Sequence, residues 1–181
     1  MTDELEILKT ITTRLEKVNI PYMITGSIAM NYYAVPRMTR DIDIVIELNV
    51  VDVDKVFNIF KDDFYIDQKM IDNAISEEGI FNIIHNEKLI KIDFIIRKSS
   101  EYRKLEFNRR LPIDIVGIKM WLVSPEDLVI SKIIWAKDNM SELQVNDIDN
   151  LLNAVRDIDR RYIEKWVTLL GLKNVYRRLK L

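Results

Sequence analysis

A chain of 181 residues at 48% hydrophobic content can bury one core, with room for a short helical extension. It has no cysteine and one histidine, His85, which excludes disulfide frameworks, thiolate metal sites, cysteine nucleophiles and paired-histidine metal motifs. Any metal must then be held by oxygen, which suits Mg2+ or Mn2+, and the net charge of −2 speaks neither for nor against nucleic acid.

The polar start Met1-Thr2-Asp3-Glu4 does not read as a signal peptide. Asp3–Asn19 reads as an amphipathic helix with Leu5, Leu8, Ile11, Leu15 and Val18 on one face, Thr2 as its cap and Pro21 as its stop. Residues 22–25 form a short apolar strand, Gly26-Ser27 breaks it, and Ile28–Ala34 follows as a buried helix. The uncharged run Val18–Pro36 contains Pro21 and Gly26, so it is no membrane span, which needs about 20 predominantly apolar residues. A cytoplasmic protein without membrane attachment is expected.

Asp41–Glu47 alternates as a strand, with Ile42, Ile44 and Ile46 on one face and Asp41 and Asp43 on the other. Asp52–Lys61 reads as a helix. Ile80–Ile84 and Leu89–Ile96 read as a hairpin turning near Asn86-Glu87. In its second strand Lys91, Asp93 and Ile95 share the face opposite Ile92 and Phe94. Ile113–Val123 supplies one or two more strands with Gly117 at a bend.

From Ser124 the pattern is helical. Ser124-Pro125-Glu126-Asp127 is a helix start, with a capping serine, proline at the first position and acids in the first turn. Helices are expected at Glu126–Ala136, Ser141–Val155, Asp159–Leu169 and Leu172–Leu179. The predicted class is α+β: an α/β core over residues 1–123 and a helical part over residues 124–181. Residues 1–98 carry 12 basic and 17 acidic side chains, and residues 99–181 carry 15 and 12. That basic bias leans slightly toward a nucleic-acid acceptor, although a solvated helix surface explains it as well.

Asp41-Ile42-Asp43 is the centre of the chemistry. On a strand these carboxylates share a face about 7 Å apart along the chain, where they repel and resist burial unless a divalent cation lies between them. Alone, an Asp-x-Asp pair is weak evidence. Gly26-Ser27 adds a strand-to-helix turn whose N–H groups and hydroxyl suit a phosphate. Asp93 adds a third carboxylate in an otherwise apolar strand.

This order resembles the nucleotidyltransferase superfamily of the DNA polymerase β type. The resemblance is carried by Gly26-Ser27, by Arg37-Met38-Thr39-Arg40-Asp41-Ile42-Asp43 and by Lys91-Ile92-Asp93-Phe94-Ile95, within residues 20–100. The middle motif is most similar to the bacterial branch that includes abortive-infection toxins of type IV toxin–antitoxin systems. Ser124–Leu128 with Lys132, and later Asp147-Ile148-Asp149, are also similar to that branch.

The resemblance implies a nucleotidyltransferase-type mixed sheet flanked by helices and transfer of an NMP from an NTP to an acceptor hydroxyl. Asp41, Asp43 and Asp93 would ligate Mg2+ or Mn2+, and Asp93 would also take the proton of the attacking hydroxyl. Gly26 and Ser27 would hold the triphosphate, Lys132 would neutralise phosphate charge and Asp147 would position it. Arg37 and Arg40 touch phosphate or balance the aspartates, and Thr39 fixes the loop. The acceptor stays open between RNA or tRNA, a protein hydroxyl and a small molecule, and the partner between an antitoxin and a second copy in a homodimer. An inactive nucleotide-binding module or toxin–antitoxin partner of the same fold is the alternative. Tyr32, Tyr33, Trp121, Trp135 and Trp166 read as packing residues, and His85 as an exposed turn residue.

Overall fold

The computed structural model describes residues 2–39, 41–137 and 141–178. Its core is a mixed sheet of seven strands, β1 (Tyr22–Ile24), β2 (Asp41–Ile46), β3 (Phe64–Tyr65), β4 (Ile80–His85), β5 (Lys91–Ile96), β6 (Leu111–Ile115) and β7 (Ile118–Leu122). Their spatial order is β3-β4-β5-β2-β1-β7-β6. The helices are α1 (Asp3–Lys17), α2 (Gly26–Tyr33), α3 (Val53–Phe60), α4 (Gln68–Glu77), α5 (Glu101–Asn108), α6 (Pro125–Ala136), α7 (Glu142–Ala154), α8 (Arg160–Leu169) and α9 (Lys173–Arg178).

The alternation in β2 and β5 decides the layers. Ile42, Ile44, Ile46, Ile92 and Phe94 are wholly buried on one face. There α3 lays Phe60 against Phe94, with ring centroids 5.9 Å apart. Helix α1 joins that layer through Arg14, which holds Asp63 with paired 2.6 Å hydrogen bonds. The other face of β2 and β5 carries the aspartates, and α2, α6 and α7 pack beside it.

Ser124 caps α6 as expected, its hydroxyl accepting from the Asp127 N–H at 3.2 Å. Thr2 caps α1, accepting from Leu5. The stretch read as one or two strands is the β6–β7 hairpin, turning at Val116 and Gly117, both at positive φ. Two helices went unread, α4 and α5, and so did the short edge strand β3. The last expected helix runs to Arg178, and Leu179 lies outside the described residues.

The C-terminal helices are tied to the rest by a buried carboxylate. Asp127 is wholly buried and accepts from Ser124 Oγ (2.7 Å), Arg109 Nε (3.0 Å), Tyr162 OH (2.8 Å) and Tyr102 OH (3.2 Å). Those donors come from α5, the residue that ends it, the α6 cap and α8. One continuous apolar cluster runs from Ile7 in α1 to Trp166 in α8.

Some packing assignments are corrected. Trp166 is buried, but Trp121 and Trp135 are exposed, because they lie on the open sides of β7 and α6. Tyr32 is exposed as well, edge-on to Tyr33, whose hydroxyl donates to the Val123 carbonyl. His85 is half-buried rather than exposed. Its Nδ1 accepts from the Glu87 and Lys88 N–H groups and closes the hairpin turn.

Candidate active site

Parallel pairing of β2 with β5 sets Asp41 opposite Lys91 and Asp43 opposite Asp93. The register therefore gathers Asp41, Asp43 and Asp93 at one end of the central strands, on one face. The strand-to-helix turn stands directly against them. Gly26 adopts φ +61°, and a Cβ there would lie 2.0 Å from Asp43 Oδ2. No side chain fits, so glycine brings the backbone onto the carboxylate. The Thr25 N–H donates to the Asp43 carbonyl at 3.0 Å and fixes that approach.

Three carboxylates this near one another carry an electrostatic cost. Among the described residues the Asp43 side chain makes no hydrogen bond to protein. Burial raises its pKa, and the charges of Asp93 and Asp41 raise it further. Lys91 supplies part of the missing charge: its Nζ lies 2.8 Å from Asp93 Oδ2 and 3.9 Å from Asp41 Oδ2. Its hydrogen bond to Asp93 holds the ammonium pKa above the usual range. Among the described residues no three acidic side chains converge on one point at metal-ligand spacing. The donor set itself, all carboxylate oxygen with one acid half-buried and unpaired among the described residues, suits a hard divalent cation.

The remaining predicted residues form a second cluster beside the first. Arg37 donates from Nε to Asp147 Oδ1 at 3.2 Å, and from Nη2 to Asp147 Oδ2 at 3.1 Å and Ser27 Oγ at 2.9 Å. Lys132 Nζ reaches Asp147 Oδ2 at 2.7 Å. Asp147 is buried; burial alone would raise its pKa, but the bonds from Arg37 and Lys132 hold it below the ordinary range. One carboxylate on α7 thus aims a guanidinium and an ammonium, two cations against one acid, beside the N-terminus of α2. Asn31 clasps the loop before β2, donating to the Arg37 carbonyl (2.8 Å) and accepting from its N–H (2.9 Å). Thr39 donates to the Asp41 carbonyl at 3.2 Å. Arg40 lies outside the described residues.

Lys91, inside the third motif, and Asn31, in α2, are site residues to which the sequence assigns no role. Lys91 was legible, since it shares a face with Asp93 two residues on. Nothing local marks Asn31.

The chain has the nucleotidyltransferase fold. It superposes on an antigenic nucleotidyltransferase-like protein from Paracoccidioides brasiliensis at TM-score 0.62 and 19% identity, over 99% of this chain and 93% of that one. It is similar to ANT(2'')-Ia in complex with adenylyl-2''-tobramycin, at TM-score 0.58 and 12% identity, over 97% of this chain and 99% of the other. The lincomycin-bound lincosamide antibiotic adenylyltransferase LnuA matches at TM-score 0.57 and 14% identity, over 86% and 99%. At these identities the likeness is one of fold. No family model matches the chain, and no curated protein matches it by sequence. Among the described residues no helix is long and apolar enough to cross a membrane.

Proposed function

We propose that this chain is a divalent-cation-dependent nucleotidyltransferase that moves an NMP from an NTP to an acceptor hydroxyl. The observation that carries this reading is the Asp43 carboxylate, set against the Gly26 backbone and flanked in register by Asp93, with no ion pair among the described residues. The fold it shares with a lincosamide antibiotic adenylyltransferase supports it.

Asp41, Asp43 and Asp93 would hold Mg2+ or Mn2+. Such an ion, when bound, neutralises charge on the reacting phosphate. In the transfer the acceptor oxygen bonds to the α-phosphorus, the bond to the bridging oxygen breaks, and pyrophosphate leaves. Asp93 takes the hydroxyl proton. The α2 N-terminus and Ser27 receive the phosphates, and Arg37 and Lys132, aimed by Asp147, offset their charge. Positioning and electrostatics supply most of such a reaction, so a site without histidine or cysteine suffices.

The test incubates each labelled NTP with Mg2+ and cell extract, beside an Asp41→Ala/Asp43→Ala variant. Label should enter RNA, protein or a small molecule with the wild type alone. Wild-type NTP binding that needs metal, with no transfer to any acceptor, would instead mark an inactive module. A toxin-type role, with its antitoxin, rests on the Arg37–Asp43 motif; growth arrest on expression of the wild type and not the variant would support it.

A further inference from the structure

Beyond the carboxylates the same sheet face changes character. Two residues after Asp43 and Asp93 stand Val45 and Ile95, on the aspartate face of their strands. They floor a cavity of about 370 Å3 whose opposite wall is α5 and α6. Small-molecule pockets span roughly 300–1,000 Å3, and packed interiors leave few voids larger than a water molecule. Two of its lining side chains, Trp135 and Ile80, are 57% and 50% exposed, a large apolar area left open at the cavity.

The charged lining is nearly balanced, with Arg97, Lys98 and Arg103 against Glu78 and Glu106. Arg103 Nη1 donates to Glu106 Oε2 and to Ser131 Oγ, both at 2.7 Å, and Ser131 donates to Glu106 Oε1. Arg97 is matched by Glu47 at 2.6 Å. The cavity thus has no surplus of acid to hold a polycation. Among the described residues Lys98 is its one base without a carboxylate partner, too little for a chain of phosphates. Arg103 keeps Nε and Nη2 without protein partners among the described residues, and neither is a buried orphan. They remain as a handle for one oxygen-bearing group.

Position assigns the occupant. Half of the lining residues come from β4, β5 and their flanks, the Asp93 side of the site. The Ser27–Arg37–Lys132–Asp147 cluster lies on the α2–α7 side. We infer that the cavity is the acceptor subsite, and that the acceptor is a compact, ring-bearing hydroxyl compound, neutral or singly anionic. This rests on the nucleotidyltransferase reading above and narrows it: a polynucleotide and a polycationic aminoglycoside are both poor fits.

Ligand-observed NMR on the full chain, without NTP, tests it with four probes: 4-(hydroxymethyl)benzoate, benzyl alcohol, tobramycin and a short RNA. The two aromatic alcohols should bind, the benzoate more tightly. Trp135→Ala and Ile80→Trp, both at open side chains, should each weaken them about tenfold and leave NTP affinity unchanged. Arg103→Met/Glu106→Gln should abolish the preference for the benzoate. Tobramycin or RNA displacing the alcohols, or alcohol binding insensitive to Trp135→Ala and Ile80→Trp, would overturn the inference. So would a shift in NTP affinity in those variants, which would make the cavity the nucleobase site. Metal-dependent NTP binding by the wild type reports separately: its absence beside intact alcohol binding sinks the nucleotidyltransferase reading and leaves the cavity's chemistry standing.

Discussion

Asp127 and Asp43 are both acids away from bulk solvent, and the fold treats them in opposite ways. Asp127 is wholly buried, yet two tyrosine hydroxyls, a serine and an arginine satisfy it. Asp43 is only half-buried, yet its near neighbours include two more carboxylates and a glycine backbone. A fully bonded buried charge fixes structure, whereas removing one partner leaves the others stranded. A carboxylate without a protein partner among the described residues is a cost that the proposed cation would offset. Burial by itself would have ranked the two the wrong way round.

Breaking each member in turn separates the roles. Asp43→Asn should cut NMP transfer about a thousand-fold, read in the label assay. It should not destabilise the fold. The native pKa of Asp43 is raised, so the group stabilises least once pH has risen through that value; at pH 7 an uncharged amide removes the repulsion. Thermal unfolding should show a midpoint equal to or above that of the wild type. Asp127→Ala should do the reverse. Loss of about 3 kcal/mol is expected, at the low end of the cost of breaking a buried ion pair because Arg109 is partly exposed. Urea titration reads that loss, and Mn2+ affinity of the folded variant should be unchanged.

Gly26→Ala sharpens the comparison at the point of contact. The added methyl meets Asp43 at a positive φ, so a stability loss of somewhat more than about 1 kcal/mol is expected, together with weaker NTP binding in titration calorimetry. The smallest effect belongs to Asp147. Its native pKa is depressed, so its contribution is full above the unfolded value and fades as pH falls through the native one. Wild-type stability should therefore fall below about pH 4 more steeply than that of Asp147→Asn. Equal slopes would mean that the Arg37 and Lys132 contacts do not hold in solution.

What the sequence made legible was whatever repeats at short range. The Asp41–Glu47 alternation placed both aspartates on one face because a strand has period two. Ser124-Pro125-Glu126-Asp127 announced α6 because caps are local. Helix α4 has a capping Asp67 but buries only Ile71 and Ala74, too thin a stripe to stand out. Helix α5, capped by Ser100, buries Tyr102, Glu106 and Phe107, one of them charged. The long-range partnerships were beyond reach. Asp127 looked like an ordinary first-turn acid, since its partner Tyr162 lies 35 residues away. Arg37 gave no sign of Asp147, 110 residues on. The fold was readable from local pattern and the carboxylates from motif; the wiring between them depends on packing.

The parallel register of β2 and β5 has a kinetic consequence. Strand β5 can zip early onto β4 as a hairpin, but its other edge must find β2 across half a hundred residues. A slip of one residue on that edge would turn Asp93 and Lys91 inward and drive Ile92 and Phe94 into water. Competence therefore arrives all at once and late, when that edge locks, and a refolding experiment should recover metal binding only with the slowest structural phase.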